Sequence, residues 1–267
     1  MLKLYRYTPT PEIEGYNGRS YLEMVELWEE NDFVESEYVS GNCTWADKEK
    51  TFLLWHYPRV DDPSSQVPPF KIGLFANTVP NHPQCKPWTM FPRNPGKLEK
   101  FSRSKLPSYN ERNITSIFMG NIENYIQAVG RNNYDWKSSI EEFYMGQGSP
   151  PRYKYTQNQY LDKLSHSKFG LTLPGYGPKC NRDIELMGLG TIPIVVPGCD
   201  VINYHEPWIE NVHYIKVNSP DEIEDKILSI SKSKWEDMHK ECKLWYDRNA
   251  SVEGSFRLTK KLIEMYK

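Results

Sequence analysis

Residues 167–185 of the chain read SKFGLTLPGYGPKCNRDIE, and the residue types change character twice along this stretch. The apolar residues of 168–173 predict a short buried strand. Two glycines and two prolines follow within 174–178, and they predict a tight loop whose backbone can come close to a ligand. Asn181 is a favoured N-cap residue, so we expect a helix to begin there. The stretch therefore predicts a strand–loop–helix unit.

The predicted loop and helix start form a candidate anion site. The first N–H groups of a helix lack intrahelical partners, and the helix dipole places partial positive charge at the same end. Lys179 and Arg182 add full charges there, and a guanidinium can hold two phosphate oxygens at once. Glu185 shares a helix face with Arg182, where its carboxylate can accept hydrogen bonds from both hydroxyls of a ribose. A surface ion pair between these two side chains is the alternative interpretation.

The candidate ligand-binding residues come from this loop and helix start and from two other predicted loops. They are Gly120, Asn121, Tyr155, Pro174, Gly175, Tyr176, Gly177, Lys179, Asn181, Arg182 and Glu185. Gly120 and Asn121 end a predicted strand at 114–119, and a glycine there allows close backbone approach. Tyr155 follows a Gly/Pro-rich break at 146–151, where a nucleobase can stack on its ring; an ordinary strand aromatic is the alternative.

Strand-like and helix-like segments alternate along the rest of the chain. The apolar runs at 51–57, 71–76 and 191–196 predict strands. Apolar residues at helical spacing within 255–267 predict a last amphipathic helix. Such alternation is typical of an α/β fold in which helices cover parallel sheets.

The domain boundary is predicted from a change in composition. Residues 78–110 are rich in Pro, Asn, Lys and Ser, which is typical of a connection between domains. We therefore expect a first domain at 1–108 and a second at 109–267, with the last helix crossing back to the first domain.

The composition of the 267-residue chain excludes several classes of protein. A net charge of −2 offers no broad attraction for nucleic acid or an anionic membrane. No apolar run approaches the roughly 20 residues that span a bilayer, and the first residues do not resemble a signal peptide. The five cysteines are scattered without a CxxC pair, which argues against a disulfide framework or a zinc site. These features predict a soluble cytoplasmic protein.

Four stretches carry a family resemblance. Ser167-Lys168-Phe169, the Arg182–Leu186 segment and the Gly190–Val195 strand occur in that order, and Phe118–Asn121 precedes them as a strand ending in Gly-Asn. Together they resemble the C-terminal signature of the exostosin-type glycosyltransferases (the family 47 type). The resemblance covers about residues 114–217 and leaves the N-terminal half without a match.

The resemblance implies a GT-B-like architecture, that is, two Rossmann-like domains facing across a cleft. It also implies a UDP-sugar as co-substrate, inversion at the anomeric carbon, no cofactor and no metal, with Arg182 on the diphosphate and Glu185 on the ribose. The implied acceptor is a hydroxyl of an oligosaccharide or a glycoprotein glycan. Compact relatives occur in large algal (chlorella) viruses, where one is a capsid-glycan xylosyltransferase. Xylose is therefore the expected sugar, and the host-cell cytoplasm the expected location if the protein is viral.

Metal independence is compatible with the sequence itself. The chain has no Asp-x-Asp motif, with which metal-dependent transferases hold a divalent ion, and Asp61 and Asp62 are adjacent rather than spaced by one residue. Positive side chains and a helix terminus can replace the metal by stabilising the leaving diphosphate.

The general base is expected on a loop of the N-terminal half. Inversion in one displacement needs a base that takes the proton of the acceptor hydroxyl. The candidates His56, Asp61 and Glu14 follow predicted strands, and Asp62 and His82 also fit. Each has an ordinary structural alternative, a strand-edge histidine or a solvated turn.

Two other functions remain compatible with the sequence. One is a non-catalytic nucleotide- or sugar-binding protein on the same fold. The other is a nicotinamide-dependent Rossmann enzyme, although the chain lacks Gly-x-Gly-x-x-Gly after its first predicted strand.

Overall fold

Two compact units divide the chain. The computed structural model describes residues 2–8, 19–40, 52–55, 72–76, 85–123, 125–147, 154–175 and 177–266. The first unit comprises Met1–Gly96, Asn203–Pro207 and Arg248–Lys267, and the second comprises Lys97–Ile202 and Trp208–Asp247. The main division thus falls upstream of the boundary expected at 108, and the C-terminal residues belong to the first unit.

The first unit is built on a five-stranded parallel sheet. Its strands are β1 (Leu2–Thr8), β2 (Val34–Ser40), β3 (Phe52–Trp55), β4 (Ile72–Phe75) and β5 (Cys85–Pro87). The strand order is β2-β1-β3-β4-β5. Helix α1 (Arg19–Glu30) connects β1 to β2. The helix connection between parallel neighbours makes this a Rossmann-like unit.

An aromatic cluster holds the last helix in the first unit. The ring of Trp88 lies 6.3 Å from that of Trp28 and 4.8 Å from that of Phe91, and all three are buried. The Trp28 indole N–H donates to the carbonyl of Val252 at 2.9 Å, and the Trp88 indole N–H donates to the Thr259 hydroxyl at 2.8 Å. The C-terminal helix therefore belongs to this core because both tryptophans find their hydrogen-bond partners on it.

The second unit repeats the architecture with its own parallel sheet. Its strands are β6 (Ile114–Ile122), β7 (Glu142–Gln147), β8 (Ser167–Thr172), β9 (Ile192–Val195) and β10 (Ile215–Lys216), in the order β10-β9-β8-β6-β7. The remaining helices of the described chain are α2 (Pro95–Arg103), α3 (Tyr125–Arg131), α4 (Gln157–Ser165), α5 (Asn181–Leu189), α6 (Ile223–Leu228), α7 (Lys232–Asn249) and α8 (Val252–Met265). No helix among the described residues combines the length and hydrophobicity of a membrane span.

The strand order creates a switch point between β6 and β8. These two strands are neighbours, but the chain leaves β6 toward β7 on one side and leaves β8 toward β9 on the other. Connections that diverge in this way open a crevice at the carboxyl ends of the strands, which is where open α/β sheets bind ligands. The loop after β8 is the one quoted at the start of the sequence.

Close packing brings helix α5 against β8. A side chain at Gly170, in the middle of β8, would place its Cβ atom 2.3 Å from Cδ2 of Leu186. Only a glycine leaves room there, so the helix axis can lie nearer to the sheet than usual. Every residue from Arg182 to Leu189 is consequently buried.

A buried arginine closes the amino edge of the second sheet. The Arg112 guanidinium donates to the carbonyls of Ser167 (2.6 Å), Leu189 (2.8 Å) and Pro107 (3.2 Å), and to the Thr191 hydroxyl (2.8 Å). Its side chain is 1% exposed. Because Leu189 is the last residue of α5, the cation also lies at the negative end of that helix. Arg112 thereby joins α5 to the starts of β8 and β9.

We predict that Arg112→Met lowers the free energy of unfolding by about 2–4 kcal/mol, because buried carbonyls lose their donors while the new side chain keeps the volume. The measurement is urea unfolding followed by circular dichroism. Arg103→Met is the matched control, since Arg103 is exposed and pairs with Glu99 one turn away, a contact worth about 0.5 kcal/mol or less. Equal losses in the two variants would contradict the assignment.

Candidate functional site

The loop after β8 begins with a tight turn. The Gly175 N–H donates to the carbonyl of Gly177 at 3.0 Å, and the Asp200 N–H donates to the carbonyl of Pro178 at 2.8 Å. A Cβ atom at Gly175 would lie 2.7 Å from Sγ of Cys180. The requirement for glycine at 175 is therefore space against a neighbouring side chain and not a positive φ angle.

Helix α5 begins differently from the sequence prediction, which had Asn181 as its N-cap. The N-cap is Cys180, with an extended backbone at φ −126° and ψ 153°, and Asn181 is the first helical residue. The carboxylate of Asp183 accepts the Cys180 N–H at 2.8 Å. An acidic side chain at the third helical position satisfies the cap in the same way as in a capping box, so Asn181 is not needed for that role.

Asp183 is a buried carboxylate at this helix start. It is 1% exposed, and its Oδ1 atom has no hydrogen-bond partner among the described residues. Burial raises the pKa of the Asp183 carboxyl to about 6, although the Cys180 N–H and the nearby Arg182 favour the ionised form. Ionising this group therefore costs folding free energy.

Arg182 crosses from helix α5 to strand β6. Its Nε donates to the carbonyl of Met119 at 3.0 Å, and its Cζ lies 4.3 Å from the ring centroid of Phe118. The side chain is 6% exposed, and its Nη1 atom is without a partner in the part of the chain that the structure describes. A Cβ atom at Gly120 would lie 2.8 Å from Nη2. Gly120 is thus the residue that makes room for the guanidinium.

A second buried arginine, which the sequence did not predict, joins the ends of β6 and β8. Arg131, at the end of α3, donates from Nε to the carbonyl of Pro174 at 2.9 Å and from Nη1 to the carbonyl of Asn121. Burial, together with the neighbouring charge of Arg182, lowers the pKa of Arg131. Local sequence carries no signal for this contact, because its partners lie up to 43 residues away.

Lys179 brings a third cation to the same helix start. Its side chain is 1% exposed, and burial lowers the pKa of the ammonium to about 8, while Asp200 and Asp183 oppose the shift. Three cationic side chains, those of Arg131, Lys179 and Arg182, are therefore buried around the first turn of α5. Such an arrangement is suited to an anion that is itself shielded from water.

Glu185 lies one turn further along α5 and is 2% exposed. The hydroxyl of Tyr160 donates to its Oε2 at 2.6 Å. The structure thus brings Arg182 and Glu185 together on one buried helix, as the spacing predicts, and not in a surface ion pair. Tyr160 is a further residue of this cluster that sequence reasoning missed.

Tyr155 lies in the connection between β7 and α4. Its half-buried ring meets that of Tyr144 edge-on, with centroids 5.5 Å apart. The ammonium of Lys163 lies 5.6 Å from the Tyr155 ring and pairs with Glu142 at 2.6 Å. The ring is therefore held in place by its neighbours, and its nucleobase role stays a prediction.

Several predicted site residues lie outside the described residues. They are Glu14, His56, Asp61, Asp62, His82 and Tyr176. The base on the N-terminal half accordingly stays a prediction. Within the described ranges, no three His, Cys, Asp or Glu side chains are grouped so that they could hold a metal ion.

We predict that Asp183→Asn stabilises the protein, and more at pH 7.5 than at pH 5, by about 1–2 kcal/mol. The folded-state pKa of about 6 lies above the ordinary value of 3.8, so the parent loses stability as the pH rises from about 4 to 6 and the buried group ionises. Urea unfolding at both pH values measures the effect. Asp237→Asn removes an exposed carboxylate as control, and a gain that is independent of pH would refute the prediction.

Comparisons with known proteins identify the fold. No protein-family model and no curated protein matches the sequence. Among solved structures, a glycosyltransferase from Rickettsia africae ESF-5 superposes with a TM-score of 0.56 at 8% identity, over 100% of this chain and 98% of that one. The trehalose-6-phosphate synthase OtsA superposes with a TM-score of 0.53 at 9% identity, over 94% of this chain and 76% of that one. An α1,3-fucosyltransferase solved with GDP-fucose superposes with a TM-score of 0.50 at 15% identity, over 98% of this chain and 90% of that one. The chain is similar to these GT-B glycosyltransferases in architecture, and it has a GT-B-like α/β fold.

Proposed function

We propose that the chain is a glycosyltransferase that moves a sugar from a nucleotide sugar to an acceptor hydroxyl. The observation that carries the proposal is the buried Nη1 atom of Arg182, which lacks a partner among the described residues at the carboxyl ends of β6 and β8. A buried guanidinium donor without an acceptor is costly. An anionic ligand at the switch point would supply that acceptor.

A diphosphate is the anion that fits this environment best. Arg131 and Arg182 are both buried beside the first turn of α5, and the Arg131 guanidinium lies within electrostatic reach of Arg182. Two like charges held out of water repel each other, and the buried Asp183 carboxylate offsets only one of them, so an anionic ligand is favoured there and a diphosphate is the anion that we propose. A helix N-terminus adds the same sign of potential.

The position of Glu185 supports the proposal that the ligand includes a nucleoside. A buried carboxylate one turn beyond the diphosphate-binding arginine can accept hydrogen bonds from the two ribose hydroxyls. Tyr155 lies in the connection between β7 and α4, and its ring contacts that of Tyr144. We propose that the nucleobase stacks on the ring of Tyr155. We propose UDP as the nucleotide, on the exostosin-type resemblance of the 182–186 and 190–195 segments.

The chemistry that we propose is a single inverting displacement without a metal ion. The cations around α5 would stabilise the charge that develops on the leaving diphosphate. The acceptor would be a glycan hydroxyl, deprotonated by a base from the N-terminal half, with His56, Asp61 and Glu14 as the candidates. Xylose is the sugar we propose, because the compact relatives that the sequence resembles include a xylosyltransferase.

We predict that Arg182→Ala weakens UDP binding by about tenfold to a hundredfold, since a hydrogen bond to a charged group contributes about 1.5–3 kcal/mol. Glu185→Ala should weaken UDP binding by a similar factor. Isothermal calorimetry measures both. Arg103→Ala, which removes an exposed cation from the same domain, should bind as the parent does. Unchanged affinity in both site variants would overturn the assignment, and UDP binding without any turnover of UDP-sugars would overturn the enzymatic function.

Metal independence makes a separate prediction. Release of UDP from UDP-xylose, with a glycan acceptor or by slow hydrolysis, should proceed at the same rate in EDTA as in magnesium or manganese. The reason is that cationic side chains, and not a metal ion, neutralise the diphosphate. A rate that disappears in EDTA and returns with the metal would show that this part of the mechanism is wrong.

A further inference from the structure

The hydroxyl of Tyr160 donates a short hydrogen bond to the Oε2 atom of Glu185, at 2.6 Å. The carboxylate is 2% exposed and the contact spans 25 residues of sequence. Hydrogen bonds to an ionised acceptor are shorter and stronger than neutral ones. The phenol therefore restrains the position of this carboxylate.

The element that carries Tyr160 is itself well anchored. Helix α4 begins after Thr156, whose hydroxyl accepts the Gln159 N–H at 3.3 Å while the Gln159 amide oxygen accepts the Thr156 N–H at 2.9 Å. The Tyr160 N–H makes the next hydrogen bond, to the carbonyl of Thr156 at 2.9 Å. Tyr160 thus lies in the first turn of a capped helix, where fraying is suppressed.

Both helices begin at the same edge of the sheet. Helix α4 follows β7 and helix α5 follows β8, and β7 and β8 run parallel to the strand β6 between them. The first turns of the two helices therefore lie at the carboxyl edge, and the helices pack against each other. A hydroxyl from the first turn of α4 reaches the second turn of α5 and meets the residue proposed to recognise the ribose.

A carboxylate needs such a restraint if it is to accept hydrogen bonds from two adjacent hydroxyls at once. The terminal torsion of a glutamate is broad, so an unrestrained carboxyl group samples many orientations. Binding two adjacent hydroxyls requires both ligand contacts to form in one orientation, and neighbouring hydrogen bonds supply that preorganisation in many binding sites.

We propose that Tyr160 is a positioning residue that orients Glu185 and thereby sets the selectivity of the site for ribonucleotides over 2′-deoxyribonucleotides. The inference rests on the proposed function, since it takes Glu185 as the ribose ligand. Tyr160 itself does not have to touch the nucleotide. A tie between α4 and α5 that only supports the fold is the competing account, and it predicts a loss of stability without a change in selectivity.

The test compares the affinities of UDP and 2′-deoxy-UDP, measured by calorimetry on the full chain. The ratio of the two dissociation constants should be about tenfold or more in the parent, because one hydrogen bond to a charged group is lost with the 2′-hydroxyl. In Tyr160→Phe the ratio should fall to a third of the parent value or less. In Glu185→Ala it should approach one, and adding Tyr160→Phe to Glu185→Ala should change it no further.

The control variant is Tyr109→Phe, which removes the same hydroxyl from a ring that packs edge-on against Trp235 at 5.4 Å. It should keep the parent ratio. A thermal melt of every variant separates fold damage from selectivity, because stability and the affinity ratio are independent readouts.

The outcomes separate the inference from the proposed function. A Tyr160→Phe variant that keeps the parent ratio, while Glu185→Ala loses it, overturns the positioning role and leaves the donor site in place. A parent chain that binds neither UDP nor GDP overturns the proposed function and this inference with it. A reduced ratio in Tyr160→Phe at an unchanged melting temperature supports the positioning role.

Discussion

The guanidinium of Arg182 is held within the second domain by the carbonyl of Met119 and by the ring of Phe118 beneath it. This arrangement depends on glycine, which has no side chain, at two positions. Gly170 lets helix α5 approach β8, and Gly120 leaves the space that the guanidinium occupies. The cation therefore joins the start of helix α5 to the end of strand β6.

Two buried arginines at opposite edges of the same sheet differ in how completely their hydrogen-bond donors are satisfied. Arg112, at the amino edge, donates to three carbonyls and a hydroxyl. Arg182, at the carboxyl edge, has one Nη atom left without a partner among the described residues. The first arrangement is complete in itself and stabilises the fold. The second leaves a buried donor without an acceptor, and we propose that this donor binds a ligand, because binding sites often retain polar groups at some cost in stability.

Much of the second domain follows from local sequence. Glycines, prolines and the apolar run within 167–185 predict the strand, the loop and the helix, and the observed β8 and α5 lie within two residues of those expectations. The cap differs: Cys180 takes the position expected of Asn181, because the carboxylate of Asp183 already satisfies it. A capping preference ranks residue types and cannot tell which of two neighbours a given loop will place at the helix start.

What the sequence determined by itself is the alternation of strands and helices, the glycine loop, and the pairing of Arg182 with Glu185 on one helix face, because each depends on residues within a few positions of one another. Only the tertiary structure decided that Arg131 joins Asn121 to Pro174 and that Tyr160 meets Glu185. These contacts depend on the order of strands in the sheet, which brings segments from distant parts of the chain to one edge. No local pattern encodes that order, since it follows from how the whole set of apolar strands and helices packs together.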